Sequence, residues 1–258
     1  MAIRYKNKKN VQTPRTGTFI AVCNTKGGVG KTEICRHAAY MAIDNKQHIV
    51  LFDADSQNDS VNLMLPKGKN ASDIDYTDFE RTEFVLVTKN FADVQAYPDR
   101  IAIADCAPQA DSITVLGSIA DIWVIPVDAD DRGVAQAILT AKALKKLGKP
   151  FVFVLSRWES SVSHAHDFIA ALFEAGRIYR AILHYDAASV SSARVNRIPV
   201  RNLDEDLGEL FDDLASWMLA GCPDDEDFFW TKQDLSTFLG IDDVHAVRAK
   251  ERVRYENA

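Results

Sequence analysis

The chain alternates between short, continuous apolar runs and longer stretches in which apolar residues return every three or four positions. The runs at 18–24, 48–53, 100–105, 121–127 and 150–155 are rich in β-branched residues, the signature of strands buried on both faces. A further run at 84–87 predicts an additional strand at a sheet edge. Between the runs, Val134, Ile138, Ala141 and Leu144 form one helical stripe, and Val162, Ile169, Leu172 and Phe173 form a second. Leu207, Leu210, Phe211, Leu214 and Trp217 form a third. Strand and helix in regular alternation require crossover connections, which join parallel strands. The expected architecture is therefore α/β: a doubly wound, mostly parallel β-sheet flanked by helices, with its site at the carboxyl ends of the strands.

At 258 residues and 47% apolar content, the chain suffices for one sizeable core and is short for two ordinary domains. Three segments are expected: a basic, disordered tail over 1–16, the main domain over 17–220, and an acidic linker with a helical extension over 221–258. The tail carries Arg4, Lys6, Lys8, Lys9 and Arg15 without an acid. In the extension, four acids precede Phe228, Phe229 and Trp230, Thr231 and Asp234 resemble a helix start, and Gly240 can stop that helix. A polar helix over 242–255 is expected to follow. A helix-turn-helix around Gly240 is disfavoured, because its second helix would open on Asp242 and Asp243, which phosphates repel. Three adjacent aromatics instead predict packing against the main body or a second subunit.

The formal charge of −7 is unevenly spread. Ten acids and no lysine or arginine lie between Arg201 and Lys232, so the rest of the chain sums to +3 (−7 less −10). Cys23, Cys35, Cys106 and Cys222 form no C-x-x-C pair, which argues against a metal knuckle, a disulfide framework or a metallocluster carrier. No stretch approaches the ~20 apolar residues of a membrane span, and a soluble, cytoplasmic protein is expected.

The chemistry concentrates after the first strand, in "NTKGGVGKTE", residues 24–33. A loop between a buried strand and a helix aims successive N–H groups at phosphate oxygens, and the helix N-terminus adds favourable partial charge. Gly27, Gly28 and Gly30 allow close backbone approach, Val29 lies between them, Lys31 would contact the β- and γ-phosphates, and Thr32 would ligand Mg²⁺. The phosphate-loop pattern asks for glycine where Thr25 stands, and an additional lysine, Lys26, follows it. Two further strands end in acids. Asp105 suits a Walker-B role on Mg²⁺, and Asp55 suits positioning of the attacking water near the metal, with Asp53 in support. After the strand ending at Leu155 the chain reads Ser156, Arg157, Trp158, Glu159 in place of the guanine-reading N-K-x-D, which favours ATP. Trp158 or the segment near Pro199 is the expected wall for the base.

"KGGVGKT" (26–32), "LFDADSQ" (51–57), "IADCAP" (103–108) and "ADIWVIPV" (120–127) resemble the ParA/MinD family of deviant Walker-A P-loop ATPases, over residues 18 to about 220. The resemblance implies an ATP-sandwich homodimer in which Lys26 reaches the partner's phosphates, and an aspartate at Asp55 required for hydrolysis. A cation arriving only on dimerisation would stabilise transition-state charge as an arginine finger does. The chain departs from the family at Glu33, which would bring a carboxylate towards the nucleotide, at Ser56 and at Ala107.

The resemblance further implies slow, partner-stimulated hydrolysis in plasmid, chromosome or cargo positioning, with non-specific DNA and a centromere-binding or cargo adaptor protein as partners and a nucleoid-associated location. Arg177, Arg180, Arg194, Arg197 and Arg201 lie in a window, 176–202, with the single acid Asp186, and are the candidate DNA contacts. Plasmid conjugation or positioning through a protein partner without DNA is the alternative. A membrane-binding C-terminal helix is disfavoured, since only Val244, Val247, Val253 and Tyr255 stand among charges there. A small-molecule synthetase is disfavoured because no second substrate pocket can be read.

Overall fold

The computed structural model describes residues 16–55, 84–108, 111–158, 165–184, 187–196 and 199–239. The basic tail through Arg15, Val162, Ser56, Arg197 and the 242–255 helix lie outside the described residues. In chain order the strands are β1 (Phe19–Val22), β2 (Ile49–Ala54), β3 (Val85–Thr88), β4 (Ile101–Cys106), β5 (Ile122–Val127), β6 (Phe151–Trp158) and β7 (Arg177–His184). The helices are α1 (Lys31–Asp44), α2 (Phe91–Ala96), α3 (Asp111–Leu116), α4 (Asp131–Lys146), α5 (Ala165–Ala175), α6 (Ala187–Asn196), α7 (Glu205–Leu219) and α8 (Lys232–Leu239).

All seven strands pair in parallel, in the order β3-β2-β4-β1-β5-β6-β7. Strand alternation sends residues to two cores, one on each face of the sheet. Ile20 and Val22 of β1 join Ile49, Leu51 and Ile103 on the face covered by α1 and α7. Phe19, Ala21 and Cys23 join Val50, Ala102 and Trp123 on the face covered by α4 and α5. β1 lies between β4 and β5, so the chain winds one way from it and then the other. The crevice beyond its carboxyl end is the switch point where ligands bind in such sheets. The four cysteines are buried, and none is in a disulfide.

β7 is the strand that the hydrophobic pattern did not suggest. Ile178, Tyr179 and Leu183 are buried, whereas the Arg177 and Arg180 side chains are about half exposed. An edge strand tolerates that mixture because one long side of it lies outside the sheet. The segment after α7 covers this edge. Phe229 bridges antiparallel to Tyr179, the Trp230 N–H donates to the Ile178 carbonyl (2.9 Å), and the Trp230 indole donates to the Arg180 carbonyl (3.1 Å). α8 then opens on a reciprocal cap, Thr231 N–H to Asp234 Oδ2 (2.7 Å) and Asp234 N–H to Thr231 Oγ1 (3.1 Å). Phe238 of α8 packs against Trp230 and against His166 of α5. Phe228, Phe229 and Trp230 thus pack against the main body, one of the two coverings that three adjacent aromatics predict.

Among the described residues, three that are not glycine have positive φ: Lys46, Arg157 and Cys222. Each such residue costs about 1–2 kcal/mol. Lys46 and Cys222 follow helix ends, where the left-handed turn lets N–H groups reach back: Lys46 to Ile43 (3.1 Å) and Cys222 to Trp217 (3.0 Å). Arg157 lies inside β6, where the register passes from Ser156 opposite Leu183 to Trp158 opposite His184, leaving Arg157 as the extra residue of a bulge.

Candidate functional site

The loop leaving β1 is pinned to β5 before it reaches its glycines. The Cys23 N–H donates to the Val124 carbonyl (3.0 Å). Asn24, fully buried, donates from Nδ2 to the Pro126 carbonyl (2.7 Å) and accepts the Lys26 N–H at Oδ1 (2.9 Å). Thr25, in the position of the missing glycine, hydrogen-bonds through its hydroxyl to Gln136 Oε1 of α4 (2.7 Å). Val29 buries its side chain and anchors the far arm, while Gly27 and Gly28 are exposed. Gly28 and Gly30 have φ of 78° and 94°, and Gly30 leads into α1 without a side-chain cap. The N–H groups of the first turn of α1 therefore open onto the loop. Lys31, 7% exposed, donates from Nζ to the Lys26 carbonyl (3.1 Å), drawing its ammonium across the same loop. A glycine-lined cradle with a buried ammonium and a helix N-terminus fits a phosphate chain.

The acids converge from two neighbouring strands. Asp53 of β2 pairs in register with Asp105 of β4, and both are buried. Asp55, just beyond β2, donates its N–H to Asp53 Oδ1 (3.0 Å), and its carbonyl accepts from Lys89 Nζ (2.8 Å). Asp53 thus holds the backbone that presents Asp55. Thr32 is half-buried at the start of α1. Cys35, one turn further along, has its thiol pushed well up by burial and by the negative charges of Asp105 and Asp53, so both carboxylates act on this face of α1. Among the described residues no three His, Cys, Asp or Glu side chains converge as a metal cage. Mg²⁺ bound with nucleotide needs none, since phosphates and waters fill most of its octahedron. A hydroxyl and one or two carboxylates, the donors that Thr32, Asp105 and Asp55 offer, fit that ion.

Lys26 is held at the rim of the loop by two residues not anticipated from the sequence. Its Nζ lies 2.6 Å from Asp128 Oδ2 and also contacts Asp130 Oδ2. Asp130 caps α4, accepting the Gly133 N–H (2.7 Å), and a Cβ at Gly133 would lie 1.9 Å from Asp128 Oδ1, so a larger residue there would displace that carboxylate. Partial burial alone would lower the Lys26 pKa, but Asp128 and Asp130 outweigh it and raise the value. Burial likewise pushes Asp130 up, and Lys26 with the Gly133 N–H brings it below the ordinary aspartate value. The clue in the sequence was "DADD", 128–131, directly after an apolar strand ending.

Glu33 does not turn towards the loop. Its carboxylate is buried against its own helix, in contact with Arg36 Nη2, 3.2 Å from His37 Nε2 and 3.6 Å from Arg194 Nε. Burial favours its protonated form, but His37 and Arg36 outweigh that effect and hold the carboxyl below its usual value. The charge that seemed hostile to a nucleotide is spent on joining α1 to α6. Trp158, one of two expected walls for a base, is instead packed in the core with Phe168, because the bulge at Arg157 returns the next side chain inwards.

The described arginines of the window, Arg177, Arg180, Arg194 and Arg201, do not form a row of unmatched cations. Arg177 pairs with Asp224 and lies over the Phe229 ring. Arg180 donates to Asp213 (3.2 Å) and to the Asp227 carbonyl (3.1 Å). Arg201 pairs with Asp212 (3.0 Å) and with Asp44. Arg194 approaches Glu33 as above.

No curated protein matches the chain by sequence. Among solved structures, McdA from Cyanothece is 16% identical, covering 78% of this chain and 99% of that one, with a TM-score of 0.61. The MinD cell division protein of Aquifex aeolicus is 15% identical over 79% and 98% of the two chains, with a TM-score of 0.61. A ParA family ATPase from Chlorobium tepidum is 13% identical over 78% and 99%, with a TM-score of 0.57. At these identities the likeness establishes the fold. The family assignment comes from residues 20–200, a span that starts in β1 and takes in the phosphate loop, both acidic strand ends and Lys26 with its two aspartates. On that match the chain belongs to the CobQ/CobB/MinD/ParA nucleotide-binding domain family.

Proposed function

We propose that this protein is an ATP-hydrolysing switch of the partition and positioning kind, which dimerises around ATP and Mg²⁺ and is stimulated by a protein adaptor. The observation that carries this reading is the presence of two lysines with separate places on one loop. Lys31 is drawn into the cradle of its own loop, whereas Lys26 stands at the rim, its side chain 17% exposed and held by exchangeable carboxylates. In the proposed cycle Lys31 and the loop amides bind the phosphates, Thr32 and Asp105 hold the metal side, and Asp55 orients the attacking water. Bound Mg²⁺ supplies charge neutralisation at the phosphates. Lys26 leaves Asp128 and Asp130 for the phosphates of a second copy, which completes the charge stabilisation.

Two substitutions separate these roles. Lys31→Ala is expected to weaken binding of a fluorescent ATP analogue by about 100-fold or more. Lys26→Ala is expected to keep binding and to lose ATP-dependent dimerisation in analytical ultracentrifugation. If both variants dimerise with ATP like the parent protein, the sandwich reading is wrong.

Non-specific DNA is the proposed track, with nucleoid association as its consequence. One observation favours the second reading, action through a protein partner without DNA: Arg177, Arg180 and Arg201 already face aspartates. Co-sedimentation with long duplex DNA in ATP, in ADP and without nucleotide distinguishes the two. DNA binding should appear only with ATP and fall steeply with salt, and indifference to ATP at low salt selects the protein-partner reading. No helix among the described residues is long and apolar enough to cross a membrane.

A further inference from the structure

We infer that Arg157 is a positioning residue for the phosphate loop, presented by the bulge in β6 so that its guanidinium holds the front of the loop in its phosphate-binding shape. The left-handed backbone at Arg157 (φ 54°) ends no helix, unlike the other two non-glycine cases. Strain of this kind, kept inside a strand beside a site, calls for a local reason.

The reason is where the side chain goes. Arg157 Nη1 donates to the Gly28 carbonyl, 129 residues away in the chain, at the exposed crest of the loop. A Cβ on Gly28 would lie 3.3 Å from that same nitrogen, with nothing else within 4 Å. The preceding residue supports the other glycine: the Ser156 hydroxyl stands 2.6 Å from where a Cβ on Gly30 would be. The end of β6 therefore meets both positive-φ glycines of the loop with two consecutive side chains. Without the bulge, strand alternation would turn Arg157 to the face of Phe153 and Leu155 and Trp158 to the opposite one; with it, Trp158 takes the place on that face and Arg157 reaches the loop.

Holding the Gly28 carbonyl fixes the Gly28–Val29 peptide plane and with it the direction of the Val29 N–H, one of the donors a phosphate needs. The guanidinium also adds a positive charge beside the cradle. Unlike Lys26, it acts within its own protomer, so its contribution should appear in binding of nucleotide by the monomer.

This inference rests on the nucleotide reading given above, and the experiment separates the two. Arg157→Gly suits the backbone, since glycine adopts positive φ without steric strain, a relief that offsets its larger loss of backbone entropy, so its melting temperature should stay close to that of the parent. Its affinity for a fluorescent ATP analogue with Mg²⁺ should nevertheless fall about tenfold, the worth of one charge-assisted hydrogen bond. Arg157→Lys should recover part of that loss. Without nucleotide, hydrogen exchange in peptides covering 24–33 should be several-fold faster in Arg157→Gly. A parent protein that binds no ATP analogue sinks the nucleotide reading itself. A parent that binds, with Arg157→Gly binding within twofold of it and exchanging at the same rate, overturns the role of Arg157.

Discussion

The loop corner and the β7 edge both set lysine or arginine against aspartate, yet the two arrangements do different work. At the corner, Lys26 meets Asp128 and Asp130 at the end of β5, and Asp130 is half exposed. Among the described residues no aromatic ring lies over Lys26, and a phosphate could exchange with either carboxylate. At the edge, Arg177 and Arg180 lie over Phe229 and Phe228 and pair with aspartates of the segment that carries those rings or of α7. There the charges fasten a strap onto an open strand. Three of the aspartates involved, Asp212, Asp213 and Asp224, come from the acidic run that separates Arg201 from Lys232. Charge segregated along the chain is recombined in space, so a basic window in sequence need not become a basic patch.

The comparison is tested most strongly at the strap. Phe229 is buried, stands edge-on to Trp217 with centroids 6.1 Å apart, and bridges to Tyr179. Phe229→Ala should cost about 3–5 kcal/mol of stability, read by urea denaturation. The folded variant should bind ATP analogue within twofold of the parent, because the strap lies across β7 and away from the loop after β1. A large loss of affinity in a protein still fully folded would show that edge and corner are coupled, and the division would fail.

At the corner the expected effect is smaller and of opposite sign. Asp128→Asn with Asp130→Asn removes the carboxylates that compete for Lys26 while keeping the shape of the turn. The Lys26–Asp130 pair, half exposed on its acid side, is worth about 1 kcal/mol or less, and the more buried Asp128 loses its attraction and its desolvation cost together, so ATP-driven dimerisation should appear at several-fold lower protein concentration, with little change in melting temperature. Dimerisation at higher concentration than the parent would mean that these aspartates serve the dimer instead of competing with it.

Much of this was legible in the pattern of residues. Strands β1, β2, β4, β5 and β6 announce themselves because burial on both faces leaves continuous apolar runs. β7 escaped because Arg177 and Arg180 interrupt its apolar residues, and that pattern reads equally well as a charged surface. The phosphate loop was legible because its chemistry is local, with strand, glycines, lysine, hydroxyl and helix following one another. Asp128, Asp130 and Arg157 were not, because each reaches the loop from more than a hundred residues away through sheet order β1-β5-β6. Glu33 misled for the same reason: proximity in sequence placed it near a nucleotide, whereas Arg36, His37 and Arg194 draw its carboxylate to the opposite side.

The smallest effect is the one that decides what the arginines are for. Arg180 is 49% exposed, its guanidinium pKa raised first by the hydrogen bond to Asp213 and then by that aspartate's charge. Solvent screens such a pair, so Arg180→Ala should cost less than about 1 kcal/mol. If the edge arginines only fasten the strap, this variant should pellet with duplex DNA in ATP as the parent does, and raising the salt should affect both alike. A several-fold drop in pelleting at unchanged melting temperature, with a shallower salt dependence, would mean that Arg180 leaves Asp213 for a phosphate. The edge would then be exchangeable like the corner, and the distinction between fastening and switching charges would rest on Arg177 and Arg201 alone.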